Sequence, residues 1–448
     1  MRLLHLSDIH FREPDCLSAR GDRDVPYRTR LEADLAELCH EDQTPVDVIL
    51  VGGDIAFKGH PDEYKAAKTW LLRIAEICGC KVEGILTVPG NHDVDRAICE
   101  EVDVSNAQEA IAKEVGLANR DWQLSRQLRH GPSAEALFKP LSAYNDFAAQ
   151  FGCSVFPELP SWEKDLKLDG GVTLRVSGLT SVLISGLGGR DNAPGKLFLG
   201  TNQIVLNPQE GVLHLVLSHH PPSWFSDAAE AENVINARAK LQFFGHEHDQ
   251  RCLRPPEFFR FLAGAVNPDR QEPRWNPGYN LVDLQVDGVG LERAVQVHAR
   301  LRHFQQAPNE LFVPLLTQDR EEVWKLRLKV PQLPTFGAGP AAKKAPPQAE
   351  TAVATAAHTA MEAVAREVPP SPPTEADVTE PSTDNLVFRF WQLSGSQMRD
   401  IALELGLITK ADLKVPPHQR YHSALKLARE KGLLVELAKE IEKREKCA

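Results

Sequence analysis

Long apolar runs, paired cysteines and a surplus of positive charge are all missing from this sequence. No stretch approaches the roughly 20 consecutive apolar residues that span a bilayer; the longest runs, such as Val46 to Val51, are strand-sized. The start, Met1-Arg2-Leu3-Leu4-His5, lacks the apolar segment and small-residue cleavage site of a secretory signal, so a cytoplasmic setting with no membrane contact is expected. The 8 cysteines lie unevenly at 16, 39, 78, 80, 99, 153, 252 and 447, too sparse for a disulfide framework. Cys78-Gly-Cys80 lacks the two-residue gap of a redox or zinc pair. Lys+Arg number 51 against 62 Asp+Glu, a net charge of −11, which excludes a general polyanion binder.

What is present is ordinary for a soluble globular protein: 42% hydrophobic and 25% charged residues in a chain of 448. At roughly 150 residues per domain this length implies two or three domains. Composition changes near Pro331. Residues 331–385 hold 10 of the 32 prolines and 13 alanines, too little apolar surface to offset ordering entropy, so they are expected to form a disordered tether with at most a transient helix over 349–367. From Leu386 helical patterning returns: Met398, Ile401, Ala402 and Leu405 follow i, i+3, i+4, i+7 with Gly406 as a stop, and Leu433, Leu434, Leu437 and Ile441 repeat it.

Within residues 1–330, Arg2–Leu6, Asp47–Val51, Gly84–Val88, Ser181–Ser185 and Val212–Leu217 read as buried strands, with helices at Arg28–Cys39 and Pro61–Cys78 between them. This alternation predicts an α/β fold. Residues 95–165 read as a largely helical insertion, with Trp122, Leu124, Leu128, Leu137, Leu141, Tyr144 and Phe147 forming a helical cap or packing inward. A second group of strands is expected between Phe258 and Val297.

Five polar clusters follow strands, where α/β proteins place their sites. They are Ser7-Asp8-Ile9-His10, Gly52-Gly53-Asp54, Pro89-Gly90-Asn91-His92-Asp93, Ser218-His219-His220-Pro221-Pro222 and Phe244-Gly245-His246-Glu247-His248. Each alone is weak; all five in order are strong, because carboxylates, amides and imidazoles from separate strands converge only around positive charge. Mixed His, Asp and Asn donors suit borderline or hard divalent ions, and the absence of cysteine from every cluster argues against a structural zinc site.

This ordered set resembles the calcineurin-like metallophosphoesterase family over roughly residues 1–300, and Gly53-Asp-Ile-Ala-Phe-Lys-Gly59 and Val88-Pro-Gly-Asn-His-Asp-Val-Asp-Arg96 are similar to its branch containing cyclic-nucleotide phosphodiesterases and, more distantly, to the repair nucleases. The resemblance implies a four-layer αββα sandwich. It further implies that Asp8, His10 and His248 hold one metal, that Asn91, His219 and His246 hold the other, and that Asp54 bridges them. His92 would face the substrate, and two divalent ions, manganese by resemblance with iron or zinc as alternatives, would activate a bridging hydroxide for in-line attack on phosphorus. His219 is chosen over His220 because it stands two residues before the proline; His220 then stands behind a ligand or faces the phosphate, and the reverse assignment stays open. Asp93 and Arg96 are candidates for supporting a ligand or contacting substrate, as is Arg190.

The expected substrate is a nucleotide or short nucleic-acid phosphodiester. Residues 1–330 carry 36 basic and 47 acidic side chains, which does not suit a nuclease needing a basic stripe. Alternatives are a housekeeping cyclic-nucleotide phosphodiesterase with an incidental tail, and a scaffold with a structural metal site. Residues 386–448 resemble the small helical effector-associated domains of bacterial conflict systems, which implies an all-α adaptor docking onto a protein partner. Its 12 basic and 8 acidic residues oppose the sign of the rest of the chain.

Overall fold

The computed structural model describes residues 1–332 apart from 19, 187–188 and 269–275, and, nearer the C-terminus, 386, 389–390, 393, 395–409, 412 and 417–445. Apart from residues 331–332, the expected tether, its helix over 349–367 and Trp391 lie outside the described residues. The chain separates into two units, Met1–Lys343 and Lys344–Ala448.

Among the described residues of the first unit, thirteen strands alternate with helices. The chain runs β1 (Arg2–Leu6), α1 (Val25–Asp42), β2 (Val48–Val51), α2 (Pro61–Cys78) and β3 (Ile85–Thr87). Five short helices follow: α3 (Arg96–Cys99), α4 (Val102–Ala112), α5 (Leu117–Arg129), α6 (Gly131–Phe138) and α7 (Ser142–Ala148). Then come β4 (Ser161–Lys167), β5 (Thr173–Leu179), β6 (Val212–Ser218), α8 (Ala228–Arg238), β7 (Ala239–Phe244), β8 (Arg251–Leu253) and β9 (Phe259–Leu262). The unit closes with β10 (Gly278–Asp287), β11 (Ala294–Gln305), β12 (Leu311–Pro314) and β13 (Trp324–Lys329).

The strands form two sheets. One has the order β12-β11-β10-β1-β2-β3 with β13 also paired to β11; the other has the order β4-β5-β6-β7-β9-β8. β1, β2 and β3 run parallel, as do β5, β6, β7 and β9. Parallel strands read as continuous apolar runs because both faces are covered, and β1, β2 and β6 are buried at every position. The inner faces meet in one hydrophobic core: the His5 ring on β1 stands edge-on to Phe243 on β7 at 4.9 Å. With α1 and α2 packed together beside the first sheet and α8 against β7 of the second, the architecture is the αββα sandwich.

α2 starts where its sequence says it should. His60 caps the helix by accepting from the Asp62 N–H, Pro61 occupies the first turn, and the Glu63 carboxylate reaches back to the His60 N–H at 3.0 Å.

Three expectations are corrected. Ser181–Ser185 is not a strand: Val182, Leu183 and Ile184 are buried, yet the segment lies past the end of β5 and closes a turn through the Ser185 N–H to the Val182 carbonyl. Hydrophobicity there reports burial rather than a ladder; the strand is the preceding Thr173–Leu179. The helical insertion ends early. Helix and turn reach Phe151, and Ser161 opens β4, an edge strand whose Trp162 points inward and whose Glu163 and Asp165 point outward or lie half-covered. Trp122, assigned to the cap's packing, is exposed beneath the Arg126 guanidinium, whereas Leu124, Leu137, Leu141, Tyr144 and Phe147 are buried.

The second unit holds α9 (Gly395–Glu404), α10 (Pro417–Glu430) and α11 (Leu434–Glu445). Phe390, Ile401, Ala402, Tyr421, Ala424, Leu437 and Ile441 share its core, with Met398 and Leu405 partly buried against it. Gly406 takes φ +61° just after α9, a left-handed conformation that glycine adopts without strain. Arg444 reaches Glu404 at 2.9 Å, tying α11 to α9.

The Thr87 carbonyl at the end of β3 accepts from both Trp162 Nε1 and the Tyr144 hydroxyl, each at 3.0 Å, joining the second sheet and the helical insertion to the first. Because the carbonyl keeps one partner when the other is removed, Trp162→Phe is expected to lower stability by only about 1 kcal/mol, and Trp162→Phe/Tyr144→Phe by more than the two single losses combined, since it strands a buried acceptor. Urea denaturation of the four proteins measures this.

Candidate metal centre

The five polar clusters stand at the C-terminal ends of β1, β2, β3, β6 and β7, so three approach from one sheet and two from the other. At each end the chain must turn sharply. Asp8 (φ 54°), His10 (φ 52°), Asp54 (φ 50°), His246 (φ 70°) and His248 (φ 51°) are all left-handed, five of the eight such non-glycine residues described. That conformation costs roughly 1 to 3 kcal/mol per residue and persists where a site over-determines it.

The loops also touch one another. A Cβ on Gly90 would stand 2.1 Å from Asp54 Oδ1, and one on Gly53 would stand 2.8 Å from His219 Nδ1, so only glycine permits the approach.

These turns bring every candidate ligand together. Asp54 Oδ2 lies 3.3 Å from both His10 Nε2 and His219 Nε2. His219 Nε2 is 3.0 Å from Asn91 Oδ1, while its Nδ1 donates to the Gly52 carbonyl at 2.8 Å. His248 Nε2 is 3.1 Å from Asp8 Oδ1, and the His246 N–H donates to Asp8 Oδ2 at 3.2 Å. Four overlapping groups each have donor atoms within 4.8 Å of one another: Asp8, His10 and His248; Asp8, Asp54 and His219; His10, Asp54 and His92; and His219, His220 and His246.

The donor set fits divalent cations. Burial alone would raise the carboxyls of Asp8 and Asp54, but the imidazoles of His248 and His219 hold both below the ordinary range, so they are ionised. Burial pushes His246 down to about 3 and lowers His92 and His220, leaving neutral rings of the kind metals bind. His219 goes the other way. Burial lowers it, but Asp54 and Asp8 outweigh that and push it up to about 9, a proton standing where positive charge is wanted. His220 Nδ1 is 2.9 Å from Ser181 Oγ, and its buried Nε2 has no hydrogen-bond partner among the described residues.

His92 is set from three sides. Its backbone N–H donates to Asp54 Oδ1 at 2.8 Å, its Nδ1 donates to the Phe57 carbonyl at 2.8 Å, and its ring stacks on Phe57 at 4.8 Å. The Phe57 loop is itself held by Glu63 Oε2, which accepts from the N–H groups of Phe57, Lys58 and His60. Asp93 accepts from the N–H groups of Ile55, Ala56 and Gly90 and from the Tyr64 hydroxyl at 2.9 Å, tying the β2 and β3 loops together. Burial and the nearby Asp54 still push its carboxyl up to about 6 against those donors.

The two arginines do not sit as free phosphate contacts. Arg96 is paired with the buried Asp191 and bonded to the Gly186 carbonyl, and Arg190 is paired with Glu109. Four contributors escape a motif reading. Phe57 and Glu63 sit in and after the second cluster's loop. Trp224 stands edge-on to His246 at 4.0 Å. Asn267 offers its carbonyl to His10 Nδ1 at 3.2 Å and donates through Nδ2 to the Ile9 carbonyl at 2.5 Å. Asn267 follows β9 as the other clusters follow their strands, the one signal that would have found it.

Asp93→Asn replaces an acceptor of several N–H bonds with a group that turns a donor toward some of them. The expected loss is about 2 to 4 kcal/mol, against about 1 kcal/mol for Tyr64→Phe, which leaves the backbone bonds intact. Thermal and urea unfolding of the two variants give the comparison.

Residues 382–443 match the GTPase-associated adaptor domain, where the sequence alone resembled effector-associated domains. No curated protein matches the chain. Solved structures that align with it include Vps29 from Chaetomium thermophilum (11% identity, 74% of this chain and 100% of that one, TM-score 0.29). A putative 5′-nucleotidase from Staphylococcus aureus, in complex with alpha-ketoglutarate, aligns at 12% identity over 75% of this chain and 55% of that one, TM-score 0.31. Purple acid phosphatase PPD1 from yellow lupin (Lupinus luteus) aligns at 8% identity over 73% and 53%, TM-score 0.37. Overlaps this slight do not bear on function. The sequence match does: residues 1–250, more than half of the chain and carrying all five clusters, match the calcineurin-like phosphoesterase model, and the protein belongs to that family.

Proposed function

We propose that this chain is a two-metal phosphodiesterase acting on nucleotide or short nucleic-acid phosphodiesters. In this reading Asp8, His10, Asp54 and His248 hold one ion, and Asp54, Asn91, His219 and His246 hold the other. The observation that carries it is the convergence of strained, mutually buried donors from both sheets onto Asp54. When bound, a pair of divalent ions supplies Lewis-acid polarisation and an acidified water. Oxygen and imidazole donors accept manganese, iron or zinc, with manganese our choice.

The chain's own residues do the rest. The Phe57 carbonyl accepts a hydrogen bond from the Nδ1–H of His92, which leaves Nε2 to accept or return a proton at the substrate. Burial favours the neutral ring, so His92 starts as a proton acceptor. Trp224 and Phe57 give the site aromatic walls suited to a base. The acidic balance of the domain favours short substrates over duplexes.

We assign residues 1–330 as the catalytic domain, 331–385 as a tether and 386–448 as an adaptor for a protein partner. The name of the matched adaptor points to a GTPase. A tethered module of this kind raises local concentration at its target. No helix among the described residues is long and apolar enough to cross a membrane.

Hydrolysis of bis(p-nitrophenyl) phosphate with manganese is the direct test. Asp54→Ala is expected to fall to background and His92→Ala to lose on the order of 10²- to 10⁴-fold in kcat. Equal activity in wild type and both variants would sink the reading. Metal content separates the two adjacent histidines: His219→Ala should lose bound metal, His220→Ala should keep it, and the reverse would reassign the ligand. A chain ending at residue 332 should retain kcat/KM within about twofold, because separate domains seldom share catalytic machinery.

A further inference from the structure

The far end of the second sheet holds another polar cavity, of about 480 Å³, within the size range of small-ligand sites. Val212 and His214 enter it from the start of β6, where alternate residues share a face. Arg238 and Lys240 come from the junction of α8 and β7, and Lys329 and Val330 from the end of β13. It does not communicate with the candidate metal centre: His214 and His219 are five residues apart on one extended strand, roughly 17 Å.

Its charge is the notable property. Among the described residues three cationic side chains line the cavity and no carboxylate does, in a protein of net charge −11. Arg238 bonds the Val205 carbonyl from the last turn of α8. Lys240 and Lys329 enter no ion pair among the described residues. The nearest acidic groups acting on His214 are Glu163 and Asp165 of β4. Asp165 is taken by a two-pronged pair with Arg175 at 2.7 and 2.8 Å, and Glu163 accepts from the Ser177 hydroxyl at 3.1 Å. The floor is polar as well: His214, only 2% exposed, has Nε2 3.0 Å from the Asn207 carbonyl, and its Nδ1 has no partner among the described residues. Val212, Ala237 and Val330 supply apolar wall.

We propose that this cavity is a binding site for a small organic phosphate. The phosphate meets Lys240, Lys329 and Arg238, which neutralise a dianion better than a single carboxylate, and the organic body lies against Val212 and Val330. A cavity of this volume in an acidic domain takes a small molecule, not a polymer. The site is independent of the proposed catalytic reaction and stands or falls without it.

Calorimetric titration of the full chain as purified tests this with AMP, adenosine and inorganic phosphate as probes, the Lys240→Ala/Lys329→Ala variant separating this cavity from the candidate metal centre, whose ligands it leaves untouched. The wild type is expected to bind one equivalent of AMP, with adenosine not binding and inorganic phosphate binding more weakly. Lys240→Ala/Lys329→Ala should weaken AMP by about tenfold or more. The same variant should unfold at the wild-type Tm and keep the wild-type circular dichroism spectrum, which shows it folded. Lys329→Glu alone, at an exposed position, should shift AMP affinity in the same direction. No saturable AMP binding, equal affinity in wild type and both variants, or adenosine or phosphate binding as tightly as AMP would each overturn the proposal.

Discussion

One oxygen atom organises the candidate site. Asp54 Oδ2 sits between His10 of the first sheet and His219 of the second, while Oδ1 is spent on the backbone of His92. A carboxylate taken out of water must be compensated, and here the compensation comes from both halves of the sandwich at once. That requirement explains why the glycines at 53 and 90 tolerate no side chain and why the flanking residues accept left-handed backbone. The loops are arranged around a charge, and the strands bring the loops within reach.

Much of this was legible from residue order alone. The five clusters are short, local and chemically distinctive, and the parallel strands before them are apolar throughout, so neither signal needs tertiary information. What failed did so for physical reasons. Ser181–Ser185 carries a strand's composition because it is buried under the site, and burial without a ladder looks the same in one dimension. Its Ser181 turned out to hold His220, a contact between segments 39 residues apart that no spacing rule encodes. β4 was lost at the end of a helical stretch because an edge strand, half exposed, carries few apolar residues. Arg96 and Arg190 looked available only because their partners, Asp191 and Glu109, lie 95 and 81 residues away.

The C-terminal unit was the reverse case. Its helical periodicity at Ile401, Leu437 and Ile441 was visible and those residues form its core; the sequence also suggested an adaptor-like module, and the match of residues 382–443 to the GTPase-associated adaptor domain is in keeping with that. Adaptor surfaces are read by shape, which one sequence does not display.

The division of the donors between two sheets has a thermodynamic consequence. Asp8, His10, Asp54 and Asn91 follow strands of one sheet; His219, His246 and His248 follow strands of the other. An ion gripped by both is bound by the assembled sandwich and by neither half alone, so it acts as a rivet across the seam. Its free concentration then enters the folding equilibrium by mass action. Under the two-metal reading proposed above, scarcity of the metal would lower the folded fraction as well as silence the chemistry.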